Sequence, residues 1–300
     1  MTIGIGVLGT SETGRAKEIV ADTAILIADT MGSFGDAYSH SRLHKAVMFP
    51  EHNVYALVAD EVDKGAELVP VICKFLAQEA PKEQRHYGNI INGIAKGCFF
   101  YKGEKFTILE LPKLRLPPEV FDPRKVTPEL NAVVQAEWDR FYVGCDLLIA
   151  TFDGLGKAYL LSVDGQNGEL HNVSFPGFSA IGCGAGNAMF WLSTRQHTLG
   201  MLPVRAAYHA YEAKLMAEGS AHVNQHLDII VATKDEHWFS SSHSLLGGDW
   251  PEEHAVINLS NLKRWQKKYG PRGTEMLGKD PKPKSSVARK VSPRVATVGR

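Results

Sequence analysis

Strand-like and helix-like segments occur in separate groups along this chain, and this order leaves few folds open to it. Apolar runs at residues 3–8 and 24–28 precede a hairpin-like pair, residues 45–49 and 54–59, with a turn composition between its strands. From Val62 the apolar residues recur every three or four positions, which predicts a helix that covers a core. Grouped strands and helices favour an α+β domain with antiparallel sheets over alternating βαβ units.

The second half of the chain repeats this theme with its own elements. Three strand-like runs follow one another with Asp-Gly turns between them: residues 146–152, 158–163 and 170–173. This arrangement predicts an antiparallel meander. A glycine-rich junction then leads from a strand at 178–181 into a helix over 185–195, and Pro203 begins a further helix. Terminal strands at 227–232 and 237–239 bring the prediction to roughly ten strands and four or five helices.

Two segments depart from this pattern. A second helix is predicted after Pro81, but the Pro-rich region around residues 111–128 has no clear period, so residues 100–140 are interpreted as containing an insertion. Residues 263–300 contain 12 Lys/Arg and 2 Asp/Glu, so this end carries +10 and residues 1–262 carry −10. Few apolar residues are available there to offset the ordering entropy, so we expect a domain over 1–262 followed by a disordered basic tail. The tail is either a solvated terminus or a contact for nucleic acid or an acidic surface.

Composition indicates a globular protein with a large core. Of the 300 residues, 44% are apolar and 22% are charged, and no apolar run approaches the roughly 18 residues of a membrane helix. The N-terminus has no leader-like pattern, so we expect a cytoplasmic protein that does not enter the membrane. Cys73, Cys98, Cys145 and Cys183 have no close spacing, which favours free thiols over a zinc site or a disulfide framework.

Two motifs suggest chemistry that the surrounding sequence does not support. Gly4-Ile-Gly6-Val-Leu-Gly9 satisfies the GxGxxG spacing of dinucleotide-binding folds, but only three residues precede it, too few for the required strand. The pairs His40/His44 and His222/His226 have the i,i+4 spacing of metal ligands on a helix, but the first pair falls in strand or turn and neither has a carboxylate partner. We therefore expect no cofactor and no bound metal.

Five segments, taken together, resemble proteasome subunits and their bacterial ring-forming relatives. They are residues 24–30, which end in Asp29-Thr30, residues 41–45, 145–149 and 160–164, and the junction Gly182-Cys183-Gly184. The resemblance covers nearly all of residues 2–240 and is most specific in the second half of the chain. It implies a four-layer αββα sandwich, an N-terminal nucleophile and assembly into a homo-oligomeric ring. It also implies a peptide or protein substrate and allows an ATPase partner.

The nucleophile that the resemblance implies is Thr2. Removal of Met1 would expose its α-amine. A free N-terminal threonine combines a hydroxyl that attacks a carbonyl with an amine, of reference pKa about 8, that takes the proton. Asp29 matches the family's aspartate, which orients a lysine and the threonine. That lysine aligns with Arg42, which keeps the charge but does not release its proton, and a shift of three residues would place Lys45 there instead.

Two positions near the implied oxyanion site differ from the family. Asp60 lies where the family has a glycine whose backbone N–H holds the oxyanion, and an inward carboxylate there would oppose the developing negative charge. Cys183 replaces a serine. A backbone N–H near Asp60 or Cys183 would then bind the oxyanion. A thiol at a helix N-terminus is also a potential nucleophile, but a small packed residue at a tight turn is the simpler interpretation of Cys183.

Further departures lie beside these positions. Ser220 and Val223 occupy the region where the family has an aspartate and a serine near the threonine. Residues 11–20 lengthen the first connection by about ten residues, either as a lid or as an enlarged surface loop.

Two functions of different classes therefore stay open. In the first, the chain is a threonine-type peptidase or amide hydrolase, small-molecule amides included, in which Thr2 reacts and Asp29 and Arg42 tune it. In the second, it is a catalytically inactive ring subunit or scaffold, for which Thr2→Ala would change nothing. We expect the first function.

Overall fold

The computed structural model describes residues 3–11, 20–30, 32–34, 37–39, 44–116, 127–219, 223, 226–241, 261–264 and 267. Its strands, in chain order, are β1 (Ile3–Gly9), β2 (Thr23–Asp29), β3 (Gly32–Phe34), β4 (Ala37–Ser39), β5 (Ala46–Phe49), β6 (Val54–Asp60), β7 (Cys145–Phe152), β8 (Ala158–Val163), β9 (Leu170–Asn172), β10 (Phe178–Gly182), β11 (Leu227–Ala232) and β12 (His237–Ser241). Its longer helices are α1 (Val62–Glu79), α2 (Tyr87–Leu109), α3 (Pro128–Arg140), α4 (Ala185–Thr194) and α5 (Pro203–Ala217).

Two five-stranded sheets form the framework. The first sheet has the strand order β10-β1-β2-β11-β12, and the second has the order β5-β6-β7-β8-β9. Every neighbouring pair in both sheets is antiparallel. A separate two-stranded pair, β3-β4, is also antiparallel. The predicted α+β class with antiparallel sheets is confirmed.

Apolar side chains from both sheets meet in one buried cluster, which we call the central core. Leu26 of β2 belongs to it together with Leu57, Leu148 and Leu160 of the second sheet. Gly6 of β1 faces the central core, because a Cβ atom there would lie 2.8 Å from Leu160 Cδ1. The missing side chain thus permits a close approach of the two sheets.

The same strand explains the glycine motif near the N-terminus. Gly4, Gly6 and Gly9 all lie within β1, which pairs with β10 on one side and β2 on the other. A dinucleotide-binding motif needs its glycines in a turn between a strand and a helix. The GxGxxG interpretation is therefore wrong.

Helices pack against the strand faces that point away from the central core. Ile27, the neighbour of Leu26 on the opposite face of β2, lies in a buried cluster with Tyr208 of α5. On the second sheet, Val58 of β6 lies in a cluster with Ile72 of α1. Each sheet thus has one face in the central core and one face that packs against helices.

Most of the predicted elements are present with small changes in their ends. The β5–β6 hairpin, α1, the β7–β9 meander, α4, α5 and the two terminal strands are confirmed. The helix predicted after Pro81 begins at Tyr87. Helix α3 has no counterpart in the sequence prediction, which interprets residues 100–140 as containing an insertion; none of the residues of α3 is buried. Its start does carry local signals, since Thr127 accepts a hydrogen bond from the Leu130 N–H and Pro128 occupies the first turn.

Several predictions fall on residues that the structure does not describe. They include most of the basic tail (268–300) and most of the long connection between β1 and β2 (12–19). Within the described part of the chain, no helix combines the length and the apolar character needed to cross a membrane. None of the four cysteines is in a disulfide bond; Cys183 is exposed and the other three are buried.

Candidate active site

A buried carboxylate lies beside the N-terminal end of β1. Asp29, the last residue of β2, has no exposed surface. Its Oδ1 accepts a hydrogen bond of 3.0 Å from the Ile3 N–H and one of 2.7 Å from the Nζ of Lys45. Desolvating a carboxylate is costly unless charged or polar partners replace water, and these two donors do so. Asp29 thereby joins the first residues of β1 to the residue that precedes β5.

Lys45 supplies the positive charge of this pair. Its side chain is 2% exposed. Burial lowers the pKa of Lys45, and the charge and hydrogen bond of Asp29 act in the opposite direction, with smaller contributions from Cys183 and Asp228. The ammonium group is therefore held in the interior by the acidic groups around it.

Thr2 precedes Ile3 and is joined by a peptide bond to the Ile3 nitrogen, whose N–H donates a hydrogen bond to Asp29. Ile3 pairs with Gly182 of β10, so the start of β1 lies beside the junction that leads into α4. A Cβ atom on Gly184 would lie 2.9 Å from Ala217, 3.2 Å from Val223 and 3.3 Å from Ile3. Thr2 itself lies outside the described residues. Its covalent neighbour, Ile3, is held by the carboxylate of Asp29.

A second acidic side chain lies on the neighbouring strand. Asp228 of β11 is 1% exposed, and its Oδ2 lies 3.0 Å from the Nδ1 of His44, whose side chain is 56% exposed. Leu227, the residue before Asp228, pairs with Asp29 across the sheet. His44 and Lys45 are consecutive, so one short segment brings a partner to each of two buried carboxylates.

A second buried lysine comes from α5. Lys214 has no exposed surface and forms an ion pair with Glu218. Burial lowers the pKa of Lys214, while Glu218 and, more weakly, Asp29 raise it. Asp29 is thus electrostatically coupled to two buried cations, Lys45 by direct contact and Lys214 at longer range.

Asp60 ends β6 and has an unusual backbone conformation. Its φ of 68° lies in the left-handed region, which favours glycine and which aspartate tolerates better than most residues. Its carboxylate is exposed and accepts a hydrogen bond of 2.6 Å from the Tyr142 hydroxyl. Burial and the nearby Asp60 charge raise the pKa of Tyr142. The carboxylate of Asp60 is thus engaged with Tyr142, while its backbone has the conformation that a glycine would adopt.

The structure brings some of the predicted site residues together and leaves others outside its description. Asp29 lies at the centre of the group, and Cys183, exposed between β10 and α4, is close enough to influence Lys45. Thr2, Arg42 and Ser220 lie outside the described residues. Lys45, three residues after Arg42, makes the contact with Asp29. Val223 is 9% exposed and belongs to the cluster beneath α5.

Three residues of the group have no role in the sequence prediction: His44, Lys214 and Asp228. Asp228 carried a signal, because a carboxylate inside the apolar run 227–232 requires a buried partner. Lys214 carried a weaker one, since it lies between apolar residues on a helix that faces the core. Neither signal identifies the partner, which only the folded chain supplies.

The arrangement is suited to reactions that develop negative charge near a buried cation. Among the described residues, no group of three or more His, Cys, Asp or Glu side chains could hold a metal ion. Comparison with protein-family models and with curated proteins finds no match for this chain. The function of this chain is therefore inferred from its own residues and contacts and from the resemblance noted in its sequence.

Proposed function

We propose that this chain is a proteasome-type N-terminal-nucleophile hydrolase that cleaves peptide or other amide bonds with Thr2. One observation carries the proposal: the Ile3 N–H and the buried Lys45 ammonium group share a single oxygen of Asp29. This contact holds the start of β1, the strand that follows Thr2 in the chain, next to a buried cation. In the mechanism that the resemblance implies, the N-terminal nucleophile lies beside a group that stabilises the developing charge.

The fold supports the proposal. In an αββα sandwich, two antiparallel sheets face each other and helices cover their outer faces. The central core joins the two sheets. One further cluster joins the first sheet to its helices, and another joins the second sheet to its helices. We propose that these layers form the four-layer sandwich of N-terminal-nucleophile hydrolases, with residues 1–262 as its domain.

The reaction follows from the groups present. The free α-amine of Thr2 takes the proton of its hydroxyl, and Oγ bonds to the carbonyl carbon of the amide. The tetrahedral intermediate then expels the amine of the cleaved amide bond, which leaves with that proton. Water finally hydrolyses the ester formed on Thr2. Lys45 stabilises the negative charge near Oγ, and Asp29 orients Lys45. A backbone N–H near Asp60 or Cys183 holds the oxyanion, since the Asp60 carboxylate is bound to Tyr142.

In this proposal Lys45 has the role that the resemblance gave to Arg42. Lysine is the better candidate on chemical grounds, because its compact ammonium group can transfer a proton when burial lowers its pKa. The distance of 2.7 Å to Asp29 supports the same choice. The proposed oligomeric ring and its peptide or protein substrate follow from the resemblance.

A catalytically inactive ring subunit or scaffold is the second candidate, and Val223 favours it. An apolar, nearly buried side chain lies in the region where the resemblance implies a serine near the nucleophile. Such a side chain neither donates nor accepts a proton. The scaffold function predicts a correctly folded chain whose Thr2 does not react.

Amide hydrolysis by purified Thr2 variants tests the two candidates. Intact mass first establishes whether Met1 is removed, and cleavage of a mixture of fluorogenic peptides is then measured. The hydrolase predicts processed wild-type protein, no activity for Thr2→Ala and residual activity for Thr2→Ser, which keeps a hydroxyl. Equal turnover by wild type and Thr2→Ala, or a retained Met1, would reject the Thr2 mechanism.

A further inference from the structure

The outer face of α2 carries an apolar groove that is separate from the candidate active site. Phe99, Phe100, Gly103 and Ile108 line it from α2, and Phe75 lines it from α1. The groove has a volume of about 900 Å³. Phe99 is 69% exposed and Ile108 is 64% exposed. Side chains at this spacing form one stripe along a helix, so the groove is a continuous surface.

This stripe is distinct from the face that α2 uses within the chain. Ile90 and Ile94 point into the cluster between α1, α2 and the second sheet. The Phe75 and Phe100 rings lie 5.4 Å apart, and Phe99 lies 5.5 Å from Trp138 of α3. Phe99 and Phe100 stay exposed despite these contacts, and aromatic side chains are enriched in protein interfaces.

Gly103 shows that the groove suits a close neighbour. Gly93 and Gly97 of the same helix are explained by packing, since a Cβ atom would lie 2.8 Å from Leu76 or 2.7 Å from Ile72. At Gly103 the nearest atom would be Trp138 Cη2 at 3.9 Å. A glycine inside a helix costs about 1 kcal/mol relative to alanine. No contact among the described residues explains a glycine at this position. A helix of another molecule that packs closely against α2 would explain it.

The charges at the groove indicate that the neighbour is a second copy of this chain. Lys96 and Glu104 line the groove one helical turn before and one turn after Phe100. When two α2 helices cross antiparallel at Phe100, Lys96 of each copy lies opposite Glu104 of the other. Lys96 contacts Glu79 at the surface, and Glu104 has no ion-pair partner among the described residues. Two copies of the groove, related by a two-fold axis at Phe100, would therefore place opposite charges next to each other.

We propose that two copies of this chain associate through their α2 grooves about a two-fold axis, with Phe99, Phe100 and Gly103 at the centre of the contact. The contact is isologous and differs from the head-to-tail contacts that close a ring. It does not depend on Thr2. The aromatic side chains exclude water from the centre, and the two Lys96–Glu104 pairs set the antiparallel direction.

Sedimentation of the full-length chain tests this proposal, with the mass of the assembly as the readout. Gly103→Leu is the sharpest variant, because the structure leaves space at this position within one copy and a larger side chain favours the helix. We expect it to halve the mass of the wild-type assembly while thermal stability of the fold is kept. Phe99→Ser should have the same effect. Phe190→Ser, which removes an equally exposed ring on α4, is the matched control and should leave the mass unchanged.

Charge reversal tests the direction of the contact. Lys96→Glu should raise the dissociation constant by roughly tenfold, and the double variant Lys96→Glu/Glu104→Lys should return it to within about threefold of wild type. A wild-type chain that is monomeric up to about 100 µM, or an assembly whose mass Gly103→Leu and Phe99→Ser leave unchanged, would overturn the proposal. A double variant weaker than either single variant would overturn the antiparallel arrangement.

Discussion

The Nζ of Lys45 lies 2.7 Å from the Oδ1 of Asp29, and neither side chain has appreciable contact with solvent. The same carboxylate oxygen holds the N–H of Ile3. One buried group therefore fixes both the start of the first strand and a cation beside it. The proposed chemistry of Thr2 depends on this contact.

Replacement of Lys45 should separate its role from that of Arg42. Lys45→Met removes the cation, so we expect amide hydrolysis to fall by roughly a hundredfold or more. It also leaves Asp29 without its ionic partner and should destabilise the fold by about 3–5 kcal/mol. Arg42→Met is the control and should retain most of the activity. Turnover and urea unfolding of both variants give the comparison, and a larger loss in Arg42→Met would show that the arginine has the catalytic role.

The Asp60 carboxylate should be dispensable for hydrolysis. Because its oxygen is bound to Tyr142 and its backbone is left-handed, Asp60→Asn and Asp60→Gly both keep the N–H in place. We expect turnover within about threefold of wild type for each variant. A large gain on removing the carboxylate would instead show that its charge opposes the oxyanion.

One thiol should react in the folded protein. Cys183 is exposed, whereas burial raises the pKa of Cys73, Cys98 and Cys145 to about 12. Thiolate is the reactive form, so iodoacetamide near neutral pH should label Cys183 alone. Peptide mapping before and after denaturation checks this. Labelling of Cys98 at native conditions would contradict the packing between α2 and the second sheet.

Two buried histidines should make the fold sensitive to acid. The rings of His197 and His209 lie 5.7 Å apart, and His197 Nε2 lies 3.1 Å from the carbonyl oxygen of Leu8. Neither ring nitrogen of His209 has a hydrogen-bond partner among the described residues. Burial lowers the pKa of His197 from 6.5 to about 4. Burial, together with the nearby His197, Arg205 and Arg195, lowers the pKa of His209 to about 3.

The sign of this effect follows from proton binding. Between pH 6.5 and about 4 the unfolded chain binds protons at both histidines and the folded chain does not, so stability is present above pH 6.5 and falls as the pH decreases. Each histidine contributes about 1.4 kcal/mol per pH unit in this window. Urea unfolding at pH 5 and 7 should show a smaller pH dependence for His209→Leu than for wild type. An unchanged slope in that variant would contradict the neutral, buried state of His209.

The sequence predicted the elements whose pattern is local. Strands β1 and β2 are apolar runs, and the start of α1 is marked by a change of period at Val62, so each could be found without the fold. Asp29 was identified through a family resemblance. The identity of its partner was not, because Arg42 and Lys45 are three residues apart and spacing alone does not show which one turns inward.

The remaining parts of the site depend on tertiary contacts. His44 and Asp228 are 184 residues apart in the chain, and only the folded chain brings them together. The left-handed backbone of Asp60 could not be predicted from the sequence either. A glycine at this position would have indicated it, but the chain has an aspartate there. Helix α3 contributes only the partly buried Val134 and Trp138 to a small cluster, and the sequence prediction includes it only as part of the insertion at 100–140.

Covalent trapping of Thr2 is the decisive test of the proposed hydrolase mechanism. A peptide epoxyketone bonds to both the hydroxyl and the α-amine of an N-terminal threonine, so its adduct reports both groups at once. We predict that intact mass and peptide mapping of the wild-type protein show loss of Met1 and one adduct on Thr2, formed much more slowly in Lys45→Met. A folded wild-type protein that has lost Met1 and forms no adduct on Thr2, under conditions that label a known threonine peptidase, would contradict the proposed mechanism.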